Sequence, residues 1–261
     1  MFILSQHEKP MQRSAKKTII VNKKEGETPL EALELFRAKN KEYKDLPITY
    51  AGRLDPMASG VLLLLAGEET KKKEEYLGLD KEYEFEVLFG FATDTYDILG
   101  KLINVSESLH LGLEKNIKSN LKYFTGKFTQ KYPPYSSKTV NGKPMFEYSR
   151  KDIVVEAPER EVEVKSLKLI KIRKVQSKKL LENFEKRIGK VKGDFRQKEI
   201  VKIWQKNLQN KEAKYAIAYF KIKCGSGTYV RGIANSLGEK IFIPALAYSI
   251  KRTRVGKYKL I

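Results

Sequence analysis

Between Tyr83 and Phe89 the chain reads Tyr-Glu-Phe-Glu-Val-Leu-Phe, and no other short stretch restricts the fold as tightly. Large apolar residues alternate with mostly acidic ones, and a period of two sends successive side chains to opposite faces of an extended strand. Tyr83, Phe85, Val87 and Phe89 therefore share a face that something apolar must cover. A second alternating stretch, Phe220-Lys221-Ile222-Lys223-Cys224, ends at Gly225-Ser226-Gly227. Beyond it, Val230, Ile233, Ala234, Leu237 and Ile241 recur at helical intervals, so a helix is predicted from near Thr228.

Other segments add to this frame. Thr18-Ile19-Ile20-Val21 reads as a short β-branched strand. Thr28-Pro29-Leu30-Glu31 is a capping box with proline at the first helical position, after which Leu30, Leu33 and Phe36 should face the core. Strands and helices intermix without a regular βαβ rhythm, which predicts an α+β fold with a mixed sheet. Residues 1–16 read as a loose N-terminal extension and 17–261 as one domain. A basic helical insertion is predicted at about 171–214, where 15 Lys and Arg face 5 Asp and Glu. Leu180, Leu181, Phe184 and Ile188 suggest one helix there, and Ile200, Ile203, Trp204 and Leu208 another.

Composition narrows the function. The 261 residues are 41% hydrophobic, enough for a real core, yet carry a net charge of +20. A surface so basic is drawn to polyanions, unless it only mirrors a lysine-rich proteome. The single Cys224 rules out an internal disulfide and a multi-cysteine zinc site, and His7 and His110 are too few for a three-ligand zinc enzyme. Neither a metal nor an organic cofactor is expected. The longest uninterrupted apolar run, residues 61–66, is far too short to span a bilayer, and no signal-peptide core develops after residues 1–5. A cytoplasmic protein without membrane partners is expected.

The stretch richest in chemistry is Tyr50-Ala51-Gly52-Arg53-Leu54-Asp55-Pro56-Met57-Ala58-Ser59-Gly60-Val61-Leu62. Pro56 restricts Asp55 to extended conformations, so the carboxylate could be presented at a strand end toward a cleft. An Asp-Pro pair alone is more often a simple turn. The whole motif, however, resembles the catalytic motif of the TruB family of pseudouridine synthases. Four later blocks resemble that family in its own order: Lys81-Glu82-Tyr83 with Gly90-Phe91-Ala92-Thr93-Asp94-Thr95-Tyr96-Asp97; Tyr132-Pro133-Pro134-Tyr135-Ser136-Ser137-Lys138 through Lys143; Cys224-Gly225-Ser226-Gly227-Thr228-Tyr229-Val230-Arg231; and Arg252-Thr253-Arg254-Val255-Gly256. Five blocks in register are a specific signal. The resemblance covers roughly 17–170 and 215–261.

The resemblance implies the pseudouridine-synthase fold: a mixed, mostly antiparallel sheet with flanking helices and a central catalytic cleft. It implies conversion of the T-loop uridine of tRNA to pseudouridine, with Asp55 catalytic, Arg231 as its ion-pair partner and Tyr83 stacking on the everted base. Tyr229 is a second aromatic candidate that could equally pack at a helix start. Tyr50 stands where members usually carry histidine, and its ring could stack in that residue's place. Many members continue into a C-terminal PUA domain; none is expected here, and a monomer binding the T-arm of tRNA is. The insertion could supplement tRNA docking or be a solvated appendage. The carboxylate could attack C1′ of the sugar, attack C6 of the base, or assist removal of a ribose proton, and the sequence does not choose. Rival readings are the same chemistry on another RNA, or a non-catalytic tRNA-binding or folding protein.

Overall fold

The computed structural model describes residues 17–106, 112–151, 153–209 and 211–260. The extension expected at 1–16, His7 and His110 lie outside the described residues. Strand β1 (Thr18–Lys23) leads to helix α1 (Pro29–Lys39). The helix starts with the expected box: the Glu31 amide donates to Thr28 Oγ1 at 3.2 Å, and the Thr28 amide donates to Glu31 Oε2 at 2.7 Å. Such caps stabilise by about 1 kcal/mol. Leu33 is buried and Phe36 packs beside it, but Leu30, expected in the core, is 58% exposed. It lies in the first helical turn and lines the cavity described below instead of the core.

Next come β2 (Ile48–Ala51), β3 (Ala58–Ala66), α2 (Lys73–Gly78) and β4 (Lys81–Phe89), then the small ribbon β5 (Phe91–Thr93) and β6 (Leu102–Val105). Helix α3 (Leu113–Asn120) precedes β7 (Gly126–Lys131). Strands β8 (Thr139–Val140) and β9 (Lys143–Pro144) pair across Asn141 and Gly142, both with positive φ, and α4 (Met145–Arg150) follows. The long β10 (Glu159–Gln176) runs into α5 (Ser177–Ile188) and α6 (Gln197–Leu208), after which β11 (Lys214–Cys224) returns beside it. Helix α7 (Val230–Lys240), β12 (Ala245–Val255) and β13 (Tyr258–Lys259) complete the chain. The basic segment expected as helical from 171 thus begins as strand, because the ladder with β11 persists to Gln176.

Nine strands form one sheet in the order β1-β3-β12-β4-β11-β10-β7, with β2 on β3 and β13 on β12. Every pairing is antiparallel except β3 with β12, so the sheet is mixed and mostly antiparallel. The period-two pattern of β4 works as expected on one face. Phe85, Val87 and Phe89 bury there with Val230, Ile233, Ala234 and Leu237 of α7. On the other face Leu88 joins Ile217 and Leu246 beneath α5 and α6, which contribute Leu180, Phe184, Ile188, Ile200 and Trp204. Burying each such side chain contributes roughly 1.5–3 kcal/mol, so α5 and α6 are fastened into the core and are not an appendage. Strand β3 is apolar from Val61 onward because both its faces are covered: Leu62 and Leu64 lie against α1, while Val61, Leu63 and Leu65 pack with Tyr76 of α2 and Tyr258 of β13. Among the described residues no helix is long and apolar enough to cross a membrane.

Candidate active site

The site forms where β3 changes neighbours. Along one edge β3 pairs with β12 through Ala58, Ser59 and Gly60, then with β2 from Leu63 to Ala66. At the gap between them Arg252, only 1% exposed, donates from Nε to the Val61 carbonyl at 2.7 Å. Its Nη1 reaches the Arg53 carbonyl at 3.1 Å and its Nη2 the Gly52 carbonyl at 3.3 Å. A buried guanidinium thus staples the Asp55 loop to the sheet. Gly60 (φ 105) makes the junction possible, since a Cβ there would run into the Arg252 main-chain carbonyl.

A second buried cation holds the other side of the loop. Lys23 Nζ donates to the Ala58 carbonyl at 2.6 Å and to the Lys24 carbonyl at 2.9 Å. Burial pushes its ammonium down to about 8, with Glu27 and Asp55 acting in the opposite sense. The Gly26 amide donates to the Pro56 carbonyl at 2.8 Å, and the Ala58 amide to the Asp55 carbonyl at 3.0 Å. Held at both shoulders, the loop presents the Asp55 side chain with 38% exposure.

Arg231 meets it from the first turn of α7. The side chain is 3% exposed, and Nε donates to Asp55 Oδ2 at 2.8 Å. Nη1 donates to the Thr95 carbonyl at 2.7 Å and Nη2 to the Tyr135 carbonyl at 3.1 Å. A cation at a helix N-terminus opposes the helix dipole, and two carboxylates offset it here. The second is Asp97, whose Oδ1 accepts from Thr95 Oγ1 at 2.8 Å and the Leu99 amide at 2.9 Å. Burial raises the Asp97 carboxyl to about 6, although Arg231 pulls it down. The same two carboxylates raise the Arg231 guanidinium against the effect of burial.

Above the ion pair lies a cavity of about 450 Å³, a size typical of small-molecule sites. Tyr50, Tyr83 and Tyr229 all line it, so the structure brings together every residue singled out from the sequence. Tyr83 also packs on the core, so its strand-residue and cavity-wall roles coincide. Burial raises its hydroxyl, which keeps the proton; Arg252 opposes that shift. Tyr229 precedes α7 and is clamped by Gln130, which accepts from its amide at 2.8 Å and donates to its carbonyl at 2.9 Å. Its ring meets Tyr132 edge-on, with centroids 5.6 Å apart, and burial raises its hydroxyl too. Tyr50 carries Lys73 Nζ 5.9 Å from its ring centroid. Arg53, Arg150 and Arg196 add positive charge to the lining. Among the described residues no group of His, Cys, Asp and Glu is placed to hold a metal ion.

The sequence gives no role to Asp97, Arg252 or Tyr135, although all three lie within the motif blocks, nor to Lys23, which lies outside them. Arg196 carries no local signal, because it belongs to the connection between α5 and α6.

An anchored carboxylate, a buried guanidinium beside it, aromatic walls and a cationic lining suit a planar group carried on a polyanion. The chain belongs to the TruB family of pseudouridylate synthases, whose N-terminal-domain profile matches residues 39–188. It is 32% identical over 243 residues to the tRNA pseudouridine synthase B of Lactobacillus gasseri, covering 93% of this chain and 69% of that one. Against the tRNA pseudouridine synthase B of Chlamydia pneumoniae the identity is 29%, with 93% and 83% covered. Among solved structures, a chain of a Cbf5–Nop10–Gar1 complex superposes with a TM-score of 0.56 at 17% identity. That match covers 94% of this chain and 50% of the Cbf5-complex chain, so this protein spans about half its length. The likeness shows a shared fold, the pseudouridine-synthase fold.

Proposed function

We propose that this protein isomerises the T-loop uridine of tRNA to pseudouridine, with Asp55 as the carboxylate that opens the reaction. The observation that carries the reading is the 2.8 Å contact between Arg231 Nε and Asp55 Oδ2 on the floor of a cavity lined by three tyrosines. Isomerisation breaks the N1–C1′ bond, turns the uracil and forms a C5–C1′ bond; C5 loses a proton and N1 gains one. No electrons are gained or lost overall.

A uridine inside folded tRNA must first be everted, at a cost of a few kcal/mol that stacking and edge hydrogen bonds recover. Tyr83 is the stacking wall, with Tyr229 and Tyr50 at the cavity's sides. Arg231 holds one carboxylate oxygen and thereby fixes the other relative to the sugar, the orientation that proximity catalysis needs. Three attachments on Arg231 keep it from following the substrate. Asp97 serves as its inner counter-charge. The cationic lining faces phosphates, whose neutralisation makes binding salt-dependent. A cytoplasmic location is part of the same reading, which needs only a monomer.

The test is pseudouridine mapping after incubating the protein with unmodified tRNA and with total RNA from cells lacking it. Conversion of the T-loop uridine is expected. Modification confined to another RNA, or tight tRNA binding with no product, would replace this reading with one of its rivals.

A further inference from the structure

The connection between α5 and α6 reaches the cavity. Phe195 and Arg196 line it together with Asp55 and Arg231, although they come from the segment least connected to the chemistry in the sequence. Their placement is held from several sides. Trp204 and Phe184 anchor the two helices in the core, with ring centroids 4.4 Å apart, and Trp204 Nε1 donates to the Ile98 carbonyl at 3.2 Å. Gln197 ties the turn: its Oε1 accepts from the Phe195 amide at 2.9 Å, and its Nε2 donates to the Gly193 carbonyl at 2.7 Å. Arg196 adopts a left-handed backbone (φ 62, ψ 22), unfavourable for a residue with a Cβ. Its side chain compensates, donating from Nη1 to Asp94 Oδ2 at 2.7 Å and lying 4.6 Å from the Tyr135 ring centroid.

That turn places Phe195 beside Arg150 at the end of α4. The Arg150 guanidinium lies 5.9 Å from the Phe195 ring centroid and 5.5 Å from that of Phe146, and its Nη2 donates to the Asp194 carbonyl at 3.3 Å. Phe146, Arg150 and Phe195 all line the cavity. Two rings flanking a planar cation make a stacking surface, and unstacked RNA bases seat on aromatic and guanidinium planes. An everted uridine would occupy the space over Asp55, leaving this surface to its neighbour in the strand.

We propose that Phe195, with Arg150, is a stacking platform for a base of the RNA strand next to the everted uridine. Arg196 is a positioning residue that holds the platform by gripping Asp94 and Tyr135. The inserted helices thus supply a substrate-contacting wall. This rests on the RNA-modifying reading above.

Steady-state kinetics on a T-arm stem-loop RNA tests it. Phe195→Ala should raise KM by roughly tenfold with kcat within about twofold, Phe195→Tyr should restore KM, and Arg196→Ala should raise KM less than Phe195→Ala. An unchanged KM for a folded Phe195→Ala protein overturns the proposal, as does a KM that Phe195→Tyr fails to restore. Phe195→Trp gives a second arm that needs binding only. The native Trp204 is fully buried, so the added fluorescence reports the platform and should be quenched by the RNA. Bound RNA with no quenching overturns the proposal. Absence of product with wild-type protein would instead defeat the parent reading, while the quenching arm would still judge this one.

Discussion

The Asp55 loop and the α5–α6 segment lie against the same cavity, yet they are built by opposite strategies. The loop buries Leu54 and Met57, but the direction of its carboxylate is set by polar contacts. Lys23 of β1, Arg231 of α7 and Arg252 of β12 hold the loop by hydrogen bonds to its carbonyls and carboxylate. The helical segment is held by apolar burial, with Trp204, Phe184 and Ile200 at zero exposure, and touches the cavity only at its turn. The contrast is that buried polar contacts fix a reactive group's direction, whereas packing fixes a wall's position. Damage to the first should be local and chemical; damage to the second should be global and thermal.

The largest expected effect is on chemistry. Asp55→Asn removes the charge but keeps the shape, so turnover should fall by roughly three orders of magnitude or more while the melting temperature and RNA affinity stay near wild type. Loss of stability in parallel would mean the loop is structural. Next comes Trp204→Ala, which empties a site in the α5–α6 core and should cost about 3–5 kcal/mol by denaturant unfolding. A cost below about 1 kcal/mol would return the helices to the status of an appendage. By the same logic, removing residues 176–210 would uncover Leu88, Ile217 and Leu246 and damage folding as well as RNA binding.

A third effect is specific to pH. The folded Asp97 carboxyl sits at about 6 against an ordinary 3.8, so the folded state keeps a proton that the unfolded state releases. The ionisation penalty is absent at acid pH, grows as pH rises past about 4 and is complete above about 6. Wild type should therefore lose about 3 kcal/mol, to order of magnitude, relative to Asp97→Asn between about pH 4 and pH 7. A pH-independent difference would mean Arg231 neutralises Asp97 fully. The smallest change is expected from Tyr50→His, which keeps a flat ring on the wall: a shift of a few-fold in KM, measured on the same RNA, with kcat unaltered.

How far the sequence could be read follows the same division. Period-two and helical patterns placed β4, β11 and α7 because large apolar residues recur there at strand or helix spacing, even though the opposite faces are partly covered too, and the five motif blocks picked out Asp55, Tyr83, Tyr229 and Arg231. Leu30 escaped because a helical pattern says which side is apolar but not whether that side meets the core or, as here in the first turn, the cavity. Asp97 and Arg252 stood in plain view within motifs, yet their roles depend on which element lies opposite, and that is set by sheet order. For Arg196 there was no local pattern to read, since its partner Asp94 lies 102 residues away.

The central claim is that a uridine leaves its stack and enters the cavity over Asp55. A structure of the inactive Asp55→Asn protein bound to a T-arm RNA tests it directly. The uracil is expected against Tyr83, with the ribose within about 4 Å of the substituted side chain and Arg231. A uridine still stacked in its loop, with residue 55 facing away from the RNA, would contradict it.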